Sequence, residues 1–213
     1  MRDIKEEYDC LKKTFLQDFL QLLTDPKITE INEEIAQKTS ITIGKEQNFY
    51  LILFPGNIPE IIEELSDYFD QKMFEECQVK FTNIKSIREK ISIAIKYRLA
   101  YVVPIQVQKK IAAYHSSIVN IASNLKIYAK TCDIIWRLAG DQSTDFNYYT
   151  KRALLLPIYM RAISIYCQDS FKNYDKTEIF VKNALDKVVN IASLKQKIKL
   201  PKKENIPILR LFL

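Results

Sequence analysis

The chain has 213 residues, with 32 Lys and Arg against 26 Asp and Glu, a formal net charge of +6 at pH 7. Hydrophobic residues make up 47% and charged residues 27%, so one compact domain, with a small unit attached, is the expectation. The scarce residues exclude more than the totals do. The glycines, Gly44, Gly56 and Gly140, stand far apart, so no Gly-rich loop can cradle a phosphate. His115 is the single histidine and supplies no His-x-x-x-His metal pair. It could act as a general base, but no nucleophile motif lies near it. Cys10, Cys77, Cys132 and Cys167 have no close partner, and each sits in an amphipathic or apolar segment. They read as four buried thiols in a reducing compartment. A charge of +6 permits an anionic partner but is modest for a nucleic-acid binder.

Helical periodicity runs through nearly the whole chain. Strand-like stretches are short, at Ile41–Ile43 and Phe49–Phe54. The first predicted helix spans 3–23, with Ile4, Tyr8, Leu11, Phe15, Phe19 and Leu22 on one face, and Asp25-Pro26 ends it. A second is expected over 30–38 behind Thr29, and a third over 45–53. Asn57 is the expected N-cap of a fourth helix, with Pro59 in its first turn and an end near Gln78. The fifth starts near Asn83, points Ile84, Ile87, Ile91, Ile95 and Leu99 inward, and breaks or kinks at Pro104. The sixth covers 105–117. The seventh covers 121–138 and stops at Gly140, a natural C′ position. The eighth covers 146–168 with Pro157 inside it, and the ninth covers 176–199 before Pro201. No apolar signal core opens the sequence, and no window reaches the length of apolar residues that spans a bilayer.

Three short helices ending in Phe54-Pro55, then a fourth, resemble the N-terminal unit of TetR-type regulators. Ile35-Ala36 and Phe49-Tyr50 stand where those families carry an Ile-Ala pair and an aromatic-rich helix end. A DNA reader needs donors and cations on its third helix. Here that segment carries Glu46 and an apolar second half, and the helix before it carries Glu30, Glu33 and Glu34. The unit therefore reads as a degenerate helix-turn-helix, and DNA is not an expected partner. The division expected is residues 1–80 for this unit, 81–200 for a C-terminal helical unit and 201–213 for a basic and apolar tail.

The stretch from Trp136 to Arg152, with its Ala139-Gly140-Asp141, Ser143-Thr144-Asp145 and Asn147-Tyr148-Tyr149-Thr150-Lys151-Arg152, is the most distinctive in the chain. It resembles the signature of the coenzyme Q biosynthesis protein nine family, and the likeness extends over about residues 121–195. The resemblance implies an all-α, TetR-like fold without catalytic residues, metal or cofactor. It implies a lipid, an isoprenoid or quinone intermediate, held in the C-terminal unit. It also implies a partner, the di-iron demethoxyubiquinone hydroxylase, to which this ubiquinone precursor is presented at the membrane surface. Carried over by position, the partner patch would be Leu138, Asp145, Tyr148, Tyr149 and Arg152. Substituting Tyr149 or Arg152 would then weaken hydroxylase binding and leave the fold intact.

The eighth helix is apolar on more than one face, and a bend at Pro157 could open space beside it. Leu155, Tyr159, Ile163 and Tyr166 are the candidate lipid contacts, with Arg161 a candidate for the head group. The tail joins Lys199, Lys202 and Lys203 to an apolar Ile206–Leu213, a composition suited to peripheral membrane docking. By the same analogy the protein is expected to form a homodimer. It is expected in the cytoplasm beside the inner membrane if bacterial, or on the matrix side of the mitochondrial inner membrane if eukaryotic. The alternative reading is a TetR-type, ligand-responsive transcription regulator. An enzyme built on Asp141, Asp145 and His115 has no supporting spacing.

Overall fold

The structure, a computed structural model, describes residues 2–117, 120–144, 146–169 and 174–197. All regular elements among them are helical, in keeping with the all-α expectation. They are α1 (Arg2–Leu23), α2 (Glu33–Thr42), α3 (Tyr50–Leu53), α4 (Asn57–Lys80), α5 (Ile87–Lys96), α6 (Ile105–His115), α7 (Ile121–Leu138), α8 (Phe146–Gln168) and α9 (Asp175–Lys197). A 3-10 turn, Phe81–Asn83, follows α4, and a π-helical turn, Tyr97–Tyr101, follows α5.

Local chemistry sets these boundaries, and several differ from the periodicity. The α2 helix begins at Glu33 because Asn32, in extended conformation, accepts the Ile35 N–H on its side chain. Glu33 and Glu34 then sit at the positive end of the helix dipole. Gly44, at φ 74°, turns the chain out of α2, and Lys45 N–H returns to Ser40 C=O at 3.0 Å. The expected helix over 45–53 is thereby cut to the four residues Tyr50–Leu53. No strand forms at 41–43 or 49–54. Asn57 is not the cap of α4. It adopts the left-handed conformation, φ 59°, while Gly56 holds the cap position and its N–H donates to Glu60 Oε2 at 2.7 Å. Ser86 caps α5, accepting the Glu89 N–H, so Ile87 lies in an exposed first turn and the inner stripe is Ile91, Ile95 and Leu99. Gly140, at φ 98°, stops α7 as the sequence suggests, and Asp141 N–H bonds back to Trp136 C=O at 3.0 Å.

Two apolar cores stack along the long helix α4. The first gathers Phe15, Phe19 and Leu23 of α1, Tyr50, Leu53 and Phe54 around α3, and Ile61, Leu65 and Phe69 of α4. Val107 and Ile111 of α6 and Ile127 of α7 close it. The second gathers Met73 and Cys77 of α4, Ile95 and Leu99, Cys132 and Ile135 of α7, Leu155, Tyr159 and Tyr166 of α8, and Val181 of α9. Each large apolar side chain buried this way contributes about 1.5–3 kcal/mol. Helix α4 thus feeds both cores, and α6 and α7 complete the core of the N-terminal unit. Lys110 of α6 adds a polar tie: its ammonium donates to the C=O of Leu23 and Asp25 at 2.6 and 2.7 Å, satisfying carbonyls where α1 ends.

The cysteines are free, and only Cys77 and Cys132 are fully buried. Burial pushes both thiols up to about 12, which leaves them unreactive. Cys10 is exposed on the outer face of α1 and Cys167 is half-buried, so the expectation of four buried thiols is corrected for those two. Among the described residues no helix is long and apolar enough to cross a membrane. The tail expectation for 201–213 lies outside the described residues.

Candidate functional site

The end of α7 and the start of α8 meet across the loop that Gly140 opens. Arg152, on the second turn of α8, is 9% exposed and makes two ion pairs. Its Nε donates to Asp133 Oδ1 at 2.6 Å and its Nη1 to Asp141 Oδ2 at 2.9 Å. The guanidinium stacks on the Tyr148 ring, with Cζ 3.5 Å from the ring centroid. The Tyr148 hydroxyl donates to Asp133 Oδ1 at 2.9 Å. On the other side, Lys151 Nζ donates to Asp141 Oδ1 at 2.6 Å and to Ser143 Oγ at 2.7 Å. Trp136 Nε1 donates to the Lys151 C=O at 3.1 Å. Burial would raise the Asp141 carboxyl, but the donors Lys151, Ser143 and Arg152 overcome it and hold the group well below the usual carboxylate range. Asp141 is therefore an anion that fixes the loop to α8.

This network separates the expected patch residues by role. Tyr149 is 70% exposed and meets the Tyr148 ring edge-on, with centroids 5.1 Å apart. It is the aromatic side chain that the network presents to solvent. Tyr148 is half-buried beside it, Leu138 is half-buried against the second core, and Arg152 is buried in the base. Removing Arg152 takes one cation from each carboxylate and leaves Asp133 paired with Arg137 and Asp141 paired with Lys151. Asp145 lies outside the described residues. Sequence reasoning missed Asp133. Its signal was a carboxylate beside Cys132 on the α7 face that meets α8, where the Arg152 charge needs a partner.

The candidate lipid residues fall on one buried face of α8. Leu155, Tyr159, Ile163 and Tyr166 are all buried in the second core. Tyr159 and Ile163 border a tight cleft shared with Arg98, Gln108, His115 and Tyr128. Tyr166 borders a second one with Leu99, Tyr174 and Val181. Each cleft has an open volume of about 10 Å³, the space of a single water molecule. Arg161 is exposed. A larger groove, of about 630 Å³, lies between α5 and α9 with Arg88, Glu89, Lys182 and Asp186 on its rim. Among the described residues no cluster of His, Cys, Asp or Glu could hold a metal ion.

The helix-turn-helix reading fares less well. The four-residue α3 spends Tyr50 and Leu53 on the core and exposes Leu51 and Ile52, so it offers apolar rather than polar groups to a partner.

Comparison with known proteins finds relatives over the C-terminal part of the chain. The COQ9 family model matches residues 121–192. The human ubiquinone biosynthesis protein COQ9, mitochondrial, is 38% identical over 80 residues, which is 38% of this chain and 25% of the human protein. The Xenopus laevis protein COQ9-A is 40% identical over 78 residues, 36% of this chain and 25% of its own. A Dictyostelium discoideum relative is 28% identical over 149 residues, covering 63% of this chain and 48% of its own length. The matches with the human and frog proteins thus span about a quarter of those proteins' length. None of these relatives is named as a transcription regulator, and the TetR-regulator alternative finds no support. The chain resembles the COQ9 family, and the likeness is seated in α7, the Asp141 loop, α8 and most of α9.

Proposed function

We propose that this chain is a non-catalytic accessory protein of ubiquinone biosynthesis. It binds an isoprenoid or quinone intermediate in its C-terminal unit and presents it to the demethoxyubiquinone hydroxylase. One observation carries the reading: the region of likeness to COQ9, 121–192, includes the ion-paired base at the α7–α8 junction and the exposed Tyr149 that stands on it. A rigid base under an exposed amphipathic ring is the form of an interface anchor, because the ring loses little entropy on binding and offers both apolar area and a hydroxyl. A mitochondrial setting at the membrane surface and a homodimer belong to the same reading. The relatives' own names include the word mitochondrial.

Lipid extraction of the purified, folded protein followed by mass spectrometry tests the lipid half of the proposal. The expected result is a co-purified isoprenoid, quinone or phospholipid near one per chain or per dimer. A folded protein carrying none, and taking up none from vesicles, would overturn it.

A further inference from the structure

The charge of the chain is divided unevenly. Residues 1–80 hold 9 Lys and Arg against 17 Asp and Glu, whereas residues 81–213 hold 23 against 9. The contrast is sharpest on α8 and on α6, which packs beside it. Neither helix contains a carboxylate. Three of their cations are already engaged, Lys110 by the carbonyls where α1 ends and Lys151 and Arg152 by Asp141 and Asp133. Lys109 and Arg161 are exposed, and among the described residues neither is ion-paired. The Lys109 charge reaches Cys167 near the end of α8, where it opposes the burial that raises the thiol.

Helix α8 carries apolar residues on opposite sides, where a surface helix ordinarily carries them on one. Only one side is covered. Leu155, Tyr159, Ile163 and Tyr166 fill the second core. On the other side Ala153, Leu154, Pro157, Met160 and Arg161 continue the line of Tyr149 and face solvent. Leu154 and Met160 are each 39% exposed. Their three- and four-residue spacing makes them one stripe, about 18 Å long from Tyr149 to Arg161. Arg161 is the single charge on it.

We propose that this stripe, with Lys109 of α6, is a face that docks on an anionic lipid bilayer. The inference rests on the membrane-surface setting in the proposed function and deepens it by naming the surface that makes the contact. The hydrocarbon boundary takes Leu154, Pro157 and Met160, while Arg161 and Lys109 reach lipid phosphates. The uneven charge turns the molecule the same way, because an anionic surface draws the basic C-terminal unit and repels the acidic N-terminal one. Two-fold packing of α8 on a second copy would instead bring cations toward cations, with no carboxylate on α6 or α8 to meet them. Tyr149 stands at the edge of the stripe, open to a partner seated on the same bilayer.

Co-sedimentation of the full-length chain with vesicles tests this. One set is phosphatidylcholine alone; the other is an equal mixture of phosphatidylcholine and phosphatidylglycerol. The wild type should bind the anionic set at least about tenfold more tightly than the neutral set. Arg161→Glu and Met160→Glu should each lose about tenfold on the anionic set, with melting temperatures within about 2 °C of the wild type. Arg161→Lys, which keeps the charge, should bind as the wild type does. Lys13→Glu, the same charge change on the exposed face of α1, should bind within about twofold of the wild type. Light scattering without lipid should give wild type and Met160→Glu the same mass. A dimer that Met160→Glu splits would assign the face to a second copy and overturn the inference. Equal losses from Lys13→Glu and Arg161→Glu, or undiminished anionic binding by the α8 variants, would overturn it and leave the membrane-surface setting standing. A wild type that binds neither set of vesicles would overturn both.

Discussion

The molecule contains two arginine-centred networks built from nearly the same parts, and they differ in what surrounds them. Arg98 pairs with Asp70 between two apolar cores, with Ser66 and Thr131 as further hydrogen-bonding partners of the pair. Arg152 pairs with Asp133 and Asp141 under a loop, beside the exposed ring of Tyr149. The first network joins the stacked cores through α4, the π-turn and α7. The second joins α7 to α8 and holds the Tyr149 ring out toward solvent. A buried ion pair adds little net stability over an apolar replacement, but it is costly to break halfway. Both networks therefore act as geometric locks, one for the interior and one for a surface.

This comparison can be broken most visibly at Arg98. Arg98→Met leaves Asp70 as an uncompensated buried carboxylate and should destabilise the fold by about 3–5 kcal/mol, read as a drop in melting temperature. Adding Asp70→Leu to it should restore much of the loss. If the single substitution costs less than about 1 kcal/mol, Arg98 is not the lock described.

The pH dependence is the next largest effect. Burial, and then the Arg98 charge, hold the folded His115 at about 4, below its ordinary value of 6.5, so the unfolded chain binds a proton that the folded chain refuses. Stability from this group is present above pH 6.5 and is lost as pH falls toward 4, up to about 3 kcal/mol. His115→Gln should flatten the melting-temperature profile over that window. Asp141 acts lower. Its depressed carboxyl contributes stability above the usual carboxylate range, and that contribution disappears only as pH falls below it. The two groups should thus titrate in separate pH windows, His115 first.

Arg152→Ala should cost about 2 kcal/mol, less than Arg98→Met, because Arg137 still pairs with Asp133 and Lys151 with Asp141. Tyr149→Ala should change stability by no more than about 0.5 kcal/mol, since the ring is mostly in solvent. The ordering Arg98, His115, Arg152, Tyr149 is itself a prediction. Any inversion in thermal melts would locate an error in the assigned burial.

The parts of this picture that were readable in the sequence are those with one-dimensional signals. The α1 stripe, the Gly140 stop and the Pro157-containing α8 follow from periodicity and backbone chemistry over a few residues. The length of α3 does not, because it depends on Gly44 and on Ser40 Oγ accepting the Tyr50 N–H at 3.1 Å from ten residues away. Asn57 looks like a cap in sequence, yet the tight turn after Phe54 drives it into left-handed space. The stretch around Tyr149 stands out through the family signature, whereas the part played by Asp133 does not, since it joins Arg152 across nineteen positions. The Arg98–Asp70 pair was invisible for the same reason. Each residue alone looks like an ordinary polar position on an amphipathic helix, and only the packing of the π-turn onto α4 brings them together.

The most direct test of the account is the affinity of the purified demethoxyubiquinone hydroxylase for the wild type and for Tyr149→Ala, measured by titration with the melting temperatures of both proteins in hand. The account predicts a loss of at least tenfold in affinity with the melting temperature unchanged within about 2 °C. Undiminished binding by a folded Tyr149→Ala protein would contradict it.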